Sequence, residues 1–432
     1  MTHRDFIVEP YKKCPECRAE KSFGVLRHLA GSKRYTRECF QCHYKEHYGL
    51  PNIKKKIIYL DQFVISNLVK LLDKSHPSHF KVKSDPFWKD LFIRLEKALK
   101  SQAIVCPDSF YHRSESLIGR TDFEQMKNLY EHFSNSNTLI PGEVVQTRQI
   151  VQHFEGWIES RKVEFDLSPE NIFSGRKLHD WVVDMRVSVN RGPFPGEIEK
   201  QQVSNMRVRA DLQDVWDKWQ SQKDVKFAER VREEASDFWP TLKREMVKFS
   251  IKQRQLNEKI ATGEAYDIDD VLLPLPLKVL ADLTEVAEKK GLEGEEVIDV
   301  LDRYMKDTDA FLEVPKIRIG AVMFSGLAHR AVSGKRHPPK STVDIGFISS
   351  YLPYFDALFV DKESASLLKE LPKDTPPYLR LQEFPAKVFS LNNKDDFLDY
   401  LTQLIAEVPE SQIKILKDMC GESYAKSILD DY

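Results

Sequence analysis

IIYLD at residues 57–61 and ALFVD at residues 357–361 determine the fold that we predict for this 432-residue chain. Each stretch is a continuous apolar run that ends in an aspartate, and a run that is apolar on both faces is typical of a buried strand in a parallel sheet. Further strand-like runs at 103–107 and 386–391, with amphipathic helix patterns between them, complete two α/β portions at 55–120 and 340–405. Neither portion is long enough to close a sheet, so we predict one parallel sheet flanked by helices and shared between the two.

The chain between these portions predicts helices almost throughout. Apolar residues recur at three-and-four spacing, as at Leu242, Met246 and Phe249, and five of the six tryptophans fall here. We interpret the tryptophans as core anchors of a helical bundle rather than as base-stacking platforms. The predicted organisation is a small N-terminal module, the first part of an α/β domain, a large α-helical insertion and the second part of that domain, at residues 1–54, 55–120, 121–315 and 316–432.

The N-terminal segment carries two Cys-x-x-Cys pairs. Cys14 and Cys17 form the first pair, and Cys39 and Cys42 form the second after 21 intervening residues. Each pair bends the chain into a knuckle that presents two thiolates to one ion, and two knuckles complete a closed tetrahedral site. We therefore predict that residues 1–54 form a zinc ribbon with one structural Zn²⁺. We predict no catalysis at this metal, since four thiolates leave no open coordination position. Metal binding should supply much of the folding free energy of so small a module.

The same segment is locally basic, with 13 Lys and Arg against 6 Asp and Glu in residues 1–56, although the whole chain has 65 against 67. Cations interleaved with aromatic residues are typical of a surface for phosphates and bases. The residues that we predict to contact nucleic acid are Arg27, Lys33, Arg34, Arg37 and Lys45. The alternative is a solvated module that only packs on the next domain.

Carboxylates recur where the predicted strands and helices meet. Asp61 and Asp361 each end a strand, Glu115 lies in the helix-like stretch after the 103–107 run, and Asp344 begins the helix-like stretch before residue 357. In open parallel sheets the binding crevice lies at the carboxyl ends of strands. Converging carboxylates repel one another unless cations are bound, and oxygen ligands without His or Cys favour Mg²⁺ or Mn²⁺. Either aspartate alone would also serve as a helix cap.

This pattern resembles the PIN-like nucleases. In that family an Asp closes the first strand, a Glu lies in a helix after the second, a third acid starts a late helix, and a fourth follows the next strand. The resemblance covers 55–120 and 340–405, and it implies that Asp61, Glu115, Asp344 and Asp361 are catalytic metal ligands. The chain departs from the family at Asp61-Gln62-Phe63, where many members have Asp-x-Asn. It departs again at Phe359, where Thr is frequent, so Asp356 is a candidate to replace or supplement Asp344 or Asp361.

The resemblance implies a metal-dependent nuclease that hydrolyses phosphodiester bonds, with RNA favoured over DNA. Phosphate-loop and nucleophile-elbow motifs are lacking. The alternatives are a non-catalytic adaptor that binds nucleic acid or protein, and a structure-selective DNA nuclease. We expect no membrane span and a cytoplasmic location, because no run of about 18 apolar residues and no signal-like N-terminus occurs. The insertion is a candidate surface for a protein partner or for a homo-oligomer.

Overall fold

We describe the fold from a computed structural model of the chain. It describes residues 6–26, 33–109, 111–112, 123–135, 137–174, 178–181, 210–264, 275–334 and 342–429. The strands are β1 (Ile7–Lys12), β2 (Phe23–Leu26), β3 (Arg34–Cys39), β4 (Lys45–Gly49), β5 (Lys56–Leu60), β6 (Ile104–Val105), β7 (Thr138–Leu139), β8 (Phe173–Ser174), β9 (Ala357–Phe359) and β10 (Lys387–Phe389).

The helices follow in chain order. They are α1 (Gln62–Leu72), α2 (His79–Lys83), α3 (Pro86–Lys100), α4 (Phe123–Ser134), α5 (Gly142–Ile158), α6 (Phe227–Ser236), α7 (Phe238–Thr262), α8 (Leu275–Lys289), α9 (Glu295–Lys306), α10 (Thr308–Glu313), α11 (Pro315–Val332), α12 (Val343–Tyr351), α13 (Lys362–Lys369), α14 (Lys394–Ala406), α15 (Glu410–Cys420) and α16 (Glu422–Leu429). Residues 210–221 are also helical.

The central sheet joins the two distant α/β portions. Its strands are all parallel and lie in the order β10-β9-β5-β6, with Leu60 of β5 opposite Phe359 of β9. An isolated parallel bridge between Asp108 and Thr138 continues the sheet beyond β6. The structure thus confirms the predicted α/β class and the parallel sheet shared between 55–120 and 340–405. The PIN-like assignment of this sheet stays a prediction.

Alternating side chains of the central strands enter two different hydrophobic clusters. Ile57, Tyr59 and Leu358 face one side, where α11 and α12 cover the sheet. Ile58, Leu60 and Phe359 face the other side, against α1, α3, α4 and α14. This alternation follows from the period of two in a strand, and it explains why the strand sequences are apolar at every position.

The helices between 121 and 315 belong to more than one cluster. A separate cluster around Tyr304 gathers α5, α8, α9 and α10, as expected for a bundle. However, Met126 and Phe133 of α4 pack on one face of the central sheet, and Val145, Trp216 and Phe227 pack on the other. Part of the predicted insertion therefore forms the layers that cover the sheet, while the domain boundaries themselves stay predictions.

The N-terminal segment forms its own antiparallel sheet in the order β1-β2-β3-β4. This sheet rests on α15, where Val25 and Tyr35 pack against Met419. Among the described residues, no helix is both long and apolar enough to cross a membrane.

Candidate metal centres

The four predicted cysteines lie together at one end of the antiparallel sheet. Their sulfur atoms all lie within 4.8 Å of one another. The sulfur of Cys14 is 3.6 Å from that of Cys42, and the sulfur of Cys17 is 3.7 Å from that of Cys39. A tetrahedral ion with Zn–S bonds of about 2.3 Å separates its sulfur ligands by about 3.8 Å. The cluster therefore has the ligand type, number and spacing that a structural Zn²⁺ requires.

Two similar backbone turns present these sulfurs. The amide of Arg18 donates to the carbonyl of Cys14 at 3.0 Å, and the amide of His43 donates to that of Cys39 at 2.9 Å. Arg18 and His43 both adopt left-handed conformations, with φ of 60° and 59°. Each Cys-x-x-Cys pair thus closes in the same way, and the residue after its second cysteine carries the backbone strain.

Hydrogen bonding distinguishes the thiols within the cluster. Burial opposes ionisation of Cys39, but hydrogen bonding with Ser22 and with the amides of Cys42 and Gln41 lowers its pKa to about 6. The hydroxyl of Ser22 lies 3.3 Å from the sulfur of Cys39. A thiolate at this position is favoured near neutral pH, and a thiolate is the form that binds metal.

The basic residues of the ribbon differ in their exposure. Lys33 and Arg34 are exposed at the start of β3, and Lys45 is half-exposed beside Glu38 at 3.4 Å. The exposure of these three side chains leaves them accessible, and their contact with nucleic acid stays a prediction. Arg27 lies outside the described residues, so its position is not compared with the prediction.

Arg37 differs from that expectation, because its side chain is completely buried. Its guanidinium donates to the carbonyl of Pro10 at 2.7 Å, to that of Phe23 at 3.1 Å, and to that of Asp418 in α15. Arg37 therefore joins the ribbon to α15, and its guanidinium is not exposed for contact with nucleic acid. A cation near the end of α15 also complements the negative end of the helix dipole.

A second set of candidate ligands lies at the carboxyl edge of the central sheet. Asp61 follows β5 and Asp361 follows β9, and these strands are neighbours. The amide of Asp361 donates to the Asp61 carboxylate at 3.2 Å, and the amide of Asp61 donates to the carbonyl of Phe359 at 3.1 Å. The strand order reverses here, since the chain runs from β5 to β6 on one side and reaches β9 and β10 on the other. Such a switch point is where open α/β sheets bind ligands.

Both aspartates also cap helices. Asp61 accepts from the amide of Phe63 at 3.4 Å at the start of α1. Asp361 accepts from the amides of Glu363 at 2.6 Å and Ser364 at 3.1 Å at the start of α13, and from the Ser364 hydroxyl at 2.6 Å. Capping orients the carboxylates, and the positive ends of two helices stabilise their negative charge.

Asp344 joins this pair electrostatically. It lies in the first turn of α12. Burial, together with the nearby charge of Asp361, raises the pKa of Asp344 to about 6. A carboxyl group whose ionisation is opposed by burial and by a second carboxylate is a candidate cation ligand, because a bound cation would reverse both effects.

Of the two remaining predicted ligands, the structure describes only Asp356. Asp356 precedes β9, whereas Asp361 follows it, so the two lie about 16 Å apart along the strand direction. The Asp356 carboxylate is instead held by the Lys56 ammonium and by the amide of Ile57, both at 2.8 Å. It belongs to the opposite edge of the sheet and does not join Asp61 and Asp361. Glu115 lies outside the described residues.

The three described acids are close but do not form a compact ligand set. Among the described residues, the four cysteines are the one group with three or more candidate ligand atoms within 4.8 Å of one another. For Asp61, Asp344 and Asp361 to bind one ion together, their carboxylates would have to move closer to one another.

Sequence reasoning missed two residues of this edge. Asp108 follows β6 as Asp61 follows β5, and its buried carboxylate lies 3.9 Å from the imidazole of His112. The signal was the same, a strand-like run followed shortly by an acid. Ser364, which donates to Asp361, gives no sequence signal of its own. His112 itself is buried, and its ring stacks on that of Tyr130 with the centroids 4.4 Å apart.

No protein-family model, no curated protein and no solved structure matches this chain. What the protein does must therefore be inferred from its own residues and their geometry.

Proposed function

We propose that the protein is a divalent-metal-dependent nuclease that hydrolyses phosphodiester bonds. The observation that carries this proposal is the contact between Asp61 and Asp361 at the switch point of the parallel sheet, with Asp344 beside them. Their donor atoms are all carboxylate oxygens, which suit Mg²⁺ or Mn²⁺. Glu115 enters the proposal as a fourth ligand on the strength of the resemblance to PIN-like nucleases.

The chain's own residues prepare this site in two ways. Ser364 and the amides at the start of α13 hold the Asp361 carboxylate in one orientation. The Asp61 carboxylate accepts from the Asp361 amide, so the two acids are linked directly. A bound divalent ion supplies activation of a water and neutralises charge on the leaving oxygen. No side-chain nucleophile is then needed, and a phosphodiester is the substrate class that fits.

The resemblance to PIN-like nucleases favours RNA as the substrate. The exposed cations of the ribbon support a nucleic-acid substrate without distinguishing RNA from DNA. Lys33, Arg34 and Lys45 are accessible on a module that contains several aromatic residues. Exposed cations of this kind position a phosphate backbone without reading its sequence. We therefore assign the ribbon to substrate contact and Zn²⁺ to the structure of the ribbon.

The test compares Asp61→Asn with Asp356→Asn in the full chain. Labelled RNA and DNA are incubated with each protein, with and without Mn²⁺. Asp61→Asn should lower cleavage at least about a hundredfold, since loss of a ligand exceeds the 10- to 100-fold cost of losing a supporting residue. Asp356→Asn removes an acid at the opposite end of the strands of the same sheet. The folded Asp356→Asn protein should therefore cleave as well as the parent does.

The outcomes separate the candidate functions. Undiminished cleavage by Asp61→Asn refutes the site. Cleavage of DNA alone identifies the DNA nuclease. If the parent protein cleaves neither nucleic acid, the non-catalytic adaptor replaces our proposal.

A further inference from the structure

A small cavity lies beside α11, and none of Asp61, Asp344, Asp361 or the four cysteines lines it. Its volume is about 200 Å³, and it lies between the beginning of α6, the later turns of α11 and the segment that follows α13. The polar residues in its wall are Lys223, Lys226, Arg230, Ser325, His329 and Asp374. Cofactor-sized pockets usually measure roughly 300–1,000 Å³, so this one suits a small group.

The cavity wall is predominantly cationic. Its charged residues are Asp374 and three cations, namely Lys223, Lys226 and Arg230. Arg230 is buried, and its guanidinium is fixed by the side chain and the carbonyl of Gln222 at 3.0 and 3.1 Å. Burial raises the pKa of Glu234, one turn further along α6, to about 7. That carboxyl group therefore offsets only part of the Arg230 charge at neutral pH.

The beginning of α6 adds a second favourable field. This helix has ten residues and starts after Lys226, whose amide donates to the carboxylate of Glu229 at 3.3 Å. Val225, Lys226 and Phe227 at this end all line the cavity. The amides and the dipole at the start of a helix favour a negatively charged group.

An unpartnered hydroxyl group provides the independent observation. Ser325 is completely buried in α11, and within the described part of the chain its hydroxyl has no hydrogen-bond partner. His329, one turn later on the same helix, lines the cavity beside it. A buried hydroxyl that makes no hydrogen bond costs free energy, so a hydroxyl left in this state in a cavity wall points to an acceptor within the cavity.

We propose that this cavity binds a phosphate group, with Lys223, Lys226 and Arg230 supplying charge and Ser325 donating to a phosphate oxygen. The group is either inorganic phosphate or the terminal phosphate of a nucleotide. Both present the same tetrahedral set of acceptor oxygens to the cavity. This site is separate from Asp61, Asp344 and Asp361, and it does not depend on the nuclease activity.

The test measures binding of inorganic phosphate to the full chain by calorimetry, without added divalent metal and at ionic strength matched with chloride. The variants are Lys223→Gln with Lys226→Gln, which changes two exposed side chains, and Ser325→Ala, which removes only the hydroxyl. Lys218→Gln is the matched control, because Lys218 is exposed on the preceding helical stretch and does not line the cavity. We expect the double variant to weaken phosphate binding about tenfold or more, Ser325→Ala severalfold, and Lys218→Gln not at all.

A competition arm distinguishes the two sources of the phosphate. Trinucleotides with a 5′-phosphate and with a 5′-hydroxyl are added in the Asp61→Asn background, where cleavage is not expected. Displacement of phosphate by the first alone assigns the site to a terminal phosphate, and displacement by neither assigns it to inorganic phosphate. Parental binding of phosphate no stronger than that of chloride overturns the proposal. So does equal phosphate binding by the parent and the double variant.

Discussion

Replacing Asp344 with Asn should stabilise the protein, and the gain should depend on pH. The pKa of Asp344 is raised from 3.8 to about 6 by burial and by the charge of Asp361. The difference is about 2, and each pH unit corresponds to about 1.4 kcal/mol, so ionisation of this group in the folded protein costs about 2–3 kcal/mol. Asn keeps the shape of the side chain and has no charge to bury.

The direction of the pH dependence follows from the raised pKa. The folded protein binds this proton more tightly than the unfolded chain does. The stability that the protonated carboxyl group contributes is fully present below about pH 3.8 and is lost as the pH rises through about 6. Asp344→Asn does not suffer this loss. It should therefore exceed the parent by about 2–3 kcal/mol at pH 7.5 and should equal it near pH 4.

The assay is urea unfolding followed by tryptophan fluorescence at several pH values, without added divalent metal. The comparison uses the difference between variant and parent at each pH, which cancels the titration of the groups that do not interact with Asp344. Asp214→Asn, on an exposed helical surface, is the control and should differ from the parent by less than about 0.5 kcal/mol at all pH values. With Mn²⁺ present, the parent should recover stability and Asp344→Asn should not. A variant that is equally or less stable than the parent at pH 7.5 would refute the charge-crowding argument.

Three further predictions concern the ribbon. Freshly purified protein should contain one zinc per chain, and Cys39→Ser should release it and unfold the ribbon; metal analysis that finds no zinc in the parent contradicts this. Arg37→Met should lower the unfolding free energy by about 3–5 kcal/mol, since it leaves three carbonyls without their charged donor. In urea unfolding, the exposed Arg34→Met should lose less than about 0.5 kcal/mol of unfolding free energy, and equal losses in the two variants would contradict the role of Arg37 as a buried donor. His43→Gly should raise the melting temperature, because glycine relieves a left-handed conformation at a gain of up to about 1 kcal/mol; a lowered melting temperature would show that the His43 side chain matters more.

The central sheet could be predicted from sequence because its strands are buried on both faces. Ile57 to Leu60 and Ala357 to Val360 are apolar at every position, and each run ends in an acid that also caps a helix. A run that is apolar at every position indicates, by itself, a strand that is buried on both faces. The cysteine ligands could be predicted for a related reason, since metal coordination fixes both residue type and spacing.

Other features depend on contacts that a local pattern does not contain. Arg34 and Arg37 lie in the same strand among similar residues, so the local sequence does not distinguish them. Arg37 is buried because α15 packs over it, whereas Arg34 is exposed. Asp356 precedes its strand by one residue, but its partner Lys56 lies 300 residues away. The amphipathic pattern at Leu242, Met246 and Phe249 predicted a helix correctly, since these residues lie in α7. Such a pattern shows that one face of a helix is buried without showing against which element.

The pairing of β5 with β9 has a consequence for synthesis of the chain. The aspartates that end these strands are 300 residues apart. At about 5–20 residues per second, a ribosome needs about 15–60 s to add that length. During this interval β5 can pair with β6 on one side, while its other edge and its apolar side chains await a partner that has not been made. The nascent protein must therefore shield an open strand edge for many seconds, and the Asp61–Asp361 site can assemble only after β9 has left the ribosome.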